Sequence, residues 1–292
     1  MQIPDSSVPI ERPCLYLVAT PIGNLADVTL RALATLAACD LVLAEDTRMT
    51  RRLLDHYAID KPLTAVHEHN ERDIATRLVR RLVDDRLAAA LVSDAGTPLI
   101  SDPGYPLMQA ALEAALPVRA VPGPSSVLAA LCVSGLPSDR FAFEGFLPTK
   151  DQAARTALAA RAQEERTLVF FEAPRRIKRT LALLQDTLGS TRRVAVAREL
   201  TKLHEQVYRG EVAAVAAMID DDAYGSTGEF VIVVAPAPPQ PLGETQIRTM
   251  LTALAPHLPR SRAVEVTTSV LGCPRNEVYR IALSLTEAFA DG

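Results

Sequence analysis

Apolar residues along this chain fall into two kinds of run, and the two kinds alternate. Residues 15–20, 41–44, 63–66, 87–92 and 118–121 are short apolar stretches bounded by turn formers, as expected of strands buried on both faces. Between and after them, residues 28–38, 47–57, 71–83, 105–115 and 127–133 carry apolar side chains at helical spacing. This alternation predicts a mainly parallel sheet covered by helices on both faces.

After Gly135-Leu136-Pro137 the pattern restarts. Strands are predicted over 141–146, 167–172, 193–198, 205–210 and 229–234, and helices over 152–163, 175–188 and 212–219. Two of these strands, 193–198 and 205–210, follow each other with no helix between, so the second sheet is expected to be mixed. The organisation read from the pattern is an N-terminal parallel α/β domain over 13–122 and a mixed-sheet α/β domain over 123–235. A proline-rich stiff linker at 236–243 then leads to a helical module over 244–292, with helices at 244–255, 260–271 and 274–285.

Composition narrows the classes. With 292 residues and 48% of them hydrophobic, the chain buries a full core unaided, and 4% aromatic content with no Trp leaves that core to Ala, Val, Leu and Ile. A net charge of −4 excludes a polycation but not a local basic surface. Cys14, Cys39, Cys132 and Cys273 are far apart, so neither a disulfide framework nor a metal site is indicated. The first twelve residues lack a basic-then-apolar leader and no long uncharged apolar window exists, so a reduced, cytoplasmic protein with no membrane partner is expected.

In an open parallel sheet, ligands bind beyond the carboxyl ends of the strands. Four loops of this chain converge there: Thr20 to Leu25, Ala44 to Arg48, the twelve residues Ser93 to Gly104, and Pro122 to Ser126. None is a dinucleotide fingerprint, a P-loop or a nucleophile elbow. His67-Glu68-His69-Asn70 reads as a polar strand-to-helix loop with Asn70 as N-cap. Glu45 and Asp46 beside Arg48 form an acid pair with a cation at a strand end, an active-site fragment. Basic residues concentrate between 174 and 209, nine against the three acids Asp186, Glu199 and Glu205, which points to a phosphate-bearing partner. Arg175, Arg176, Lys178 and Arg179 stand on a predicted helix, and Arg275 and Arg280 add to them from the helical module, where Gly272 marks a helix-turn-helix-like corner.

Taken together and in order, the loops carry T-P-I-G-N-L-x-D (20–27), A-E-D-T-R (44–48), H-E-H-N (67–70), S-D-A-G-T-P-L-I-S-D-P-G (93–104), P-G-P-S-S, G-L-P-S-D-R-F (135–141), G-F-L-P, L-V-F-F-E and A-R-E-L-T-K (197–202). This set resembles the ribosomal RNA small subunit methyltransferase I family, 16S rRNA cytidine 2′-O-methyltransferases of the tetrapyrrole-methylase-like superfamily, over residues 15–234. The resemblance implies two α/β domains with S-adenosyl-L-methionine in the cleft between them, a cytidine ribose near the decoding centre as acceptor, the small ribosomal subunit as partner, and a homodimer. It places the cofactor at Pro21, at Asp94, Ala95, Gly96 and Thr97 with Ile100 and Asp102, at Ser125 and Ser126, and at Glu172 and Leu200. Ala95, Thr97 and Glu172 depart from the tetrapyrrole enzymes, which favours the RNA branch over a porphyrin substrate. A ribose hydroxyl needs help at neutral pH. Glu45, Asp46, Asp94 and Asp102 are the available carboxylates and Arg48 the nearest cation, with Glu45, Asp46 and Arg48 the expected catalytic group. Two other classes share parts of this pattern: a small-molecule methyltransferase would need no basic window, and a non-catalytic RNA adaptor no cofactor.

Overall fold

The run Cys14-Leu15-Tyr16-Leu17-Val18 has no polar face, and it forms β1 (Cys14–Val18) inside a sheet with a strand on either side. The elements that follow are α1 (Leu30–Ala38), β2 (Leu41–Ala44), α2 (Thr47–His56), β3 (Leu63–Ala65), α3 (Glu71–Asp84), β4 (Ala88–Val92), α4 (Tyr105–Glu113), β5 (Val118–Val121) and α5 (Ser126–Ser134). These come from a computed structural model that describes residues 9–238, 244–285 and 289. The first sheet has the order β3-β2-β4-β1-β5, with every pairing parallel. Alternate residues of one strand serve opposite layers, which is why the strands read as unbroken apolar runs. Cys14, Tyr16 and Val18 pack with Leu33 and Leu36 of α1 and Leu53 and Leu54 of α2. Leu15, Leu43 and Leu91 face Leu78 and Leu82 of α3 and Leu107 of α4.

The second sheet is built from β6 (Phe141–Phe146), α6 (Asp151–Ala159), β7 (Thr167–Glu172), α7 (Ile177–Leu188), β8 (Arg193–Arg198), β9 (Gln206–Glu211), α8 (Val212–Asp221) and β10 (Phe230–Val234). Its order is β6-β7-β10-β8-β9, with β6 parallel to β7 and the remaining pairs antiparallel, the mixed sheet the pattern predicts. Helices α6, α7 and α8 cover one face through Leu158, Leu181, Leu184, Val215 and Ile219. The other face takes α5 through Val127, Ala130 and Leu131, together with Ile22 from the loop after β1. Both sheets thus belong to one compact unit that runs to Pro236.

The second unit, from Ala237, holds α9 (Glu244–Leu254), α10 (Arg260–Leu271) and α11 (Arg275–Ser284) around its own core of Ile247, Leu251, Val264, Val278 and Ile281. Gly272 ends α10 at φ +64°, a left-handed C-cap that glycine adopts without strain. The proline-rich linker expected at 236–243 lies, from 239 onward, outside the described residues. Among the described residues no helix is long and apolar enough to cross a membrane.

Three local expectations are corrected. Residues 175 and 176 do not begin a helix: Pro174–Arg176 is a 3-10 turn, and α7 starts at Ile177. Helix α6 stops at Ala159, short of residue 163. Asn70 precedes α3 but does not cap it; its side chain accepts from His67 N (2.9 Å) and donates to Ala65 O (3.1 Å), closing the loop instead.

Candidate active site

The long loop after β4 folds back on the end of β1. Thr20 and Gly96 exchange both backbone hydrogen bonds (2.9 and 3.1 Å), and Thr20 Oγ1 donates to Ser93 O (3.3 Å). Gly96 stands at φ +82°, with Ile22 Cγ2 3.3 Å from where a Cβ would sit. Further along, Thr97 Oγ1 donates to Pro124 O (3.1 Å), and Gly104 N donates to Glu71 Oε2 (2.5 Å). The loop is therefore fastened to three other motifs: the turn after β1, the turn before α5 and the start of α3. Between those fastenings Leu99 (φ +73°) and Ser101 (φ +67°) occupy a backbone region that costs L-residues energy and recurs at functional sites.

These loops enclose a cavity of about 430 Å³ whose opposite wall is the second sheet. Of the positions assigned to the cofactor by resemblance, Asp94, Ala95, Gly96, Thr97, Ile100, Asp102, Ser125, Ser126, Glu172 and Leu200 all line it. Pro21 does not, but its neighbour Ile22 does. Sequence reasoning missed Phe146, Phe171, Pro174 and Phe230, which also line the cavity. Phe230 arrives there because β10 runs antiparallel to β7 and sets it opposite Glu172, a pairing no local pattern announces.

The carboxylates separate into two groups. Glu45, Asp94 and Asp102 line the cavity. Burial pushes the Asp102 carboxyl up to about 6, with the charges of Glu45 and Asp94 adding to the effect and a hydrogen bond from Ser93 opposing it. Glu45 is likewise raised, by burial first and then by Asp94. Asp46 is different. It caps α2, accepting from Arg48 N (2.8 Å), and it also holds the Arg48 guanidinium (2.8 and 3.1 Å), which keeps its carboxyl down at about 2. The Arg48 side chain is 87% exposed, and neither residue reaches the cavity. Of the expected catalytic group, only Glu45 lines the cavity. The two neighbours close on each other because a cap and an N2 arginine are within reach without any tertiary contact.

Most of the basic window has partners within the chain, some buried and some at the surface. The Glu172 side chain is fully buried, and its oxygens accept from Ala173 N (2.7 Å) and Thr180 Oγ1 (2.5 Å) and pair with Arg176 Nε (3.0 Å). Arg176 also donates to Leu147 O (2.6 Å), so it points inward rather than toward a partner. Lys178 pairs with Asp220, Arg179 with Asp151, and Lys202 with Glu199 and Glu229. Arg192, Arg198 and Arg209 donate to the backbone carbonyls of Ala162, Thr227 and Val133. Among the described residues Arg175 has no acidic partner; it is exposed and follows Pro174, which lines the cavity. In the second unit, Arg275 and Arg280 are exposed on α11 beside Tyr279.

Comparison with known proteins agrees with the motifs. The family described as Tetrapyrrole (Corrin/Porphyrin) Methylases matches residues 14–216, and that described as RsmI C-terminal HTH domain matches residues 242–286. The ribosomal RNA small subunit methyltransferase I of Xylella fastidiosa (strain Temecula1) is 48% identical over 266 residues, 91% of this chain and 97% of that one. Among solved structures, a conserved hypothetical protein from Aeropyrum pernix K1 superposes with a TM-score of 0.60 at 16% identity, covering 97% of this chain and all of that one. A uroporphyrin-III C-methyltransferase from Thermus thermophilus, complexed with S-adenosylhomocysteine, superposes with a TM-score of 0.51 at 21% identity, over 75% of this chain and 96% of that one. The two structures share the fold, while the relative matches nearly the whole chain in sequence. With both α/β sheets and the C-terminal helices accounted for, the chain belongs to the ribosomal RNA small subunit methyltransferase I family, which has the tetrapyrrole-methylase fold.

Proposed function

We propose that this protein transfers a methyl group from S-adenosyl-L-methionine to the 2′-hydroxyl of a cytidine ribose in 16S rRNA, in the decoding region of the small ribosomal subunit. The observation that carries this reading is the juxtaposition, in one cavity, of a glycine-containing backbone cradle and a carboxyl raised to about 6. The name of the Xylella relative supports an rRNA substrate.

The residues present fit the cofactor. The cavity lies in the size range of small-molecule sites, about 300–1,000 Å³. Ile22, Ile100, Leu200 and Phe171 provide apolar walls for an adenosine, and the backbone around Gly96 approaches closely because no Cβ intervenes. Bound there, S-adenosylmethionine supplies a methyl already activated on a sulfonium. The protein's part is then alignment, exclusion of water and removal of one proton. Asp102 takes that proton from the ribose hydroxyl, and burial, with the charges of Glu45 and Asp94 adding to it, keeps its carboxylate basic enough to do so. Arg175, exposed next to the cavity-lining Pro174, and Arg275 and Arg280 on α11 hold RNA phosphates. A homodimer is part of the same reading.

Incubation of the protein with methyl-labelled S-adenosylmethionine and either naked 16S rRNA or 30S subunits tests it, with nucleoside mass spectrometry as the readout. The expected product is 2′-O-methylcytidine. A methyl found on a base, or transfer to a porphyrin and not to RNA, overturns the reading.

A further inference from the structure

The chain has 7 Phe, 6 Tyr and no Trp, yet three of its phenylalanines cluster on the second sheet, and two of them, Phe146 and Phe171, line the cavity. The rings of Phe143 and Phe171 lie 4.9 Å apart and those of Phe146 and Phe171 5.6 Å apart, both tilted edge to face. Phe143 and Phe171 pack against the apolar layer between the sheet and α5. Phe146 also lines the cavity, and it remains 54% exposed.

Its direction is set by an irregularity in the sheet. Along the β6–β7 pair, Phe143 stands opposite Val169, Gly145 opposite Phe170 and Phe146 opposite Phe171, so Glu144 is one residue too many. In a regular strand, Phe146 would fall on the face of Phe170, which is buried against α6, α7 and α8. The extra residue turns it onto the face of Val169 and Phe171 instead. Gly145 makes the bulge possible at φ +65°, and a Cβ on it would sit 3.4 Å from Ser101 Oγ in the long loop. Glu144 is tied down by an ion pair with Arg161. The bulge therefore places a large aromatic ring at the open mouth of the site, half in water, where it gains little from burial.

We infer that Phe146 is a stacking platform for a nucleobase of the RNA substrate, the unstacked pyrimidine whose ribose enters the cavity. Single-stranded RNA is recognised chiefly by stacking its splayed bases on aromatic rings. A ribose in structured RNA reaches a recessed acid such as Asp102 only when its base leaves the helical stack. Phe146 replaces the lost stacking partner, supported from behind by Phe171. Arg175, which follows the cavity-lining Pro174, meets the adjoining phosphate. This assignment rests on the RNA-methylating reading above.

The test uses the full-length protein with Phe146→Ala, Phe146→Leu and Phe146→Tyr. On 16S rRNA, the Ala and Leu variants are expected to lose about 5- to 100-fold in kcat/KM, mainly through KM, and Tyr to recover most of it. Their affinity for S-adenosylmethionine by calorimetry and their sedimentation coefficient should match the wild type. A short oligoribonucleotide carrying the fluorescent cytidine analogue pyrrolocytidine should be quenched by the wild type and by Tyr, and not by Ala or Leu. Wild-type kinetics in Phe146→Ala, a Leu variant equal to Phe, a parallel fall in cofactor affinity, or a change in oligomeric state each overturns the inference. Should the wild type quench the probe yet methylate no rRNA, the proposed activity falls while the stacking site stands.

Discussion

The side chain of Lys202 lies along Gly23, so close that a Cβ on the glycine would meet Lys202 Cγ at 2.5 Å and Thr201 Oγ1 at 3.1 Å. The contact joins the turn after β1 to the A-R-E-L-T-K segment at the end of β8. Lys202 Nζ then pairs with Glu199 (3.0 Å) and Glu229 (3.1 Å). Leu200, between those anchors, lines the cavity. Gly23→Ala should push Lys202 off its carboxylates and lower stability by about 1–3 kcal/mol, as other overpacked sites do. Urea denaturation measures the loss, and calorimetry should show weaker S-adenosylmethionine binding as Leu200 shifts. An unchanged denaturation midpoint would mean that Lys202 moves aside freely.

Asp102 separates stability from turnover. Its carboxyl titrates near 6 when folded and near 3.8 in an unfolded chain, so the native state binds the extra proton and stability falls as pH rises from about 4 to 6. Asp102→Asn should therefore melt no lower than wild type at neutral pH, while turnover drops by about 10²–10⁴-fold. The wild-type rate should climb with pH through about 6 and then level off, as the base loses its proton. A flat rate profile between pH 5 and 7 contradicts the role.

Asp46 gives the complementary result. Asp46→Ala removes a helix cap and should lower the midpoint of thermal or chemical denaturation modestly. Single-turnover methylation should stay near wild type, because Asp46 and Arg48 lie outside the cavity. A hundredfold loss of rate would restore Asp46 to the chemistry.

Two adjacent arginines should behave in opposite ways. Arg176→Ala leaves the fully buried Glu172 without its ion partner and should destabilise by about 3–5 kcal/mol. Arg175→Ser should leave the denaturation curve in place but reduce the slope of log affinity for rRNA against log salt by about 0.7–0.9. An unaltered salt slope reduces Arg175 to a solvated side chain.

Glu71 holds the far end of the long loop through Gly104 N, at a helix start with no side-chain cap of its own. Glu71→Ala should lose about 1.5–3 kcal/mol, the worth of a hydrogen bond to a charged group, and weaken cofactor binding with it. Glu71→Gln, which still accepts, should recover part of both. Equal affinities in all three proteins would show that the loop stands without this bond.

Local pattern determined a good deal about this protein. Strands buried on both faces carry unbroken apolar runs, and helices carry apolar stripes, because side-chain direction repeats every two or 3.6 residues along the chain itself. The mixed character of the second sheet was legible in the adjacent strands at 193–198 and 205–210, and most cavity residues lie in loops whose motifs stand in the sequence. What the tertiary structure decided depends on partners distant in the chain. Strand β4 slots between β1 and β2, and antiparallel pairing brings Phe230 beside Glu172. Within the basic run at 175–179, only the fold sets Arg176 beside Glu172, Lys178 beside Asp220 and Arg179 beside Asp151, and leaves Arg175 without an acidic partner among the described residues. Asp46 and Glu45 look equivalent in sequence; only folding puts Glu45 in the cavity and leaves Asp46 outside it. Phe146 reads as one more strand residue until the extra Glu144 reverses its face. Periodicity reports which way a side chain points within its own element. Charge pairing, burial and register are set by whichever element folds against it, and that information is spread over the whole chain.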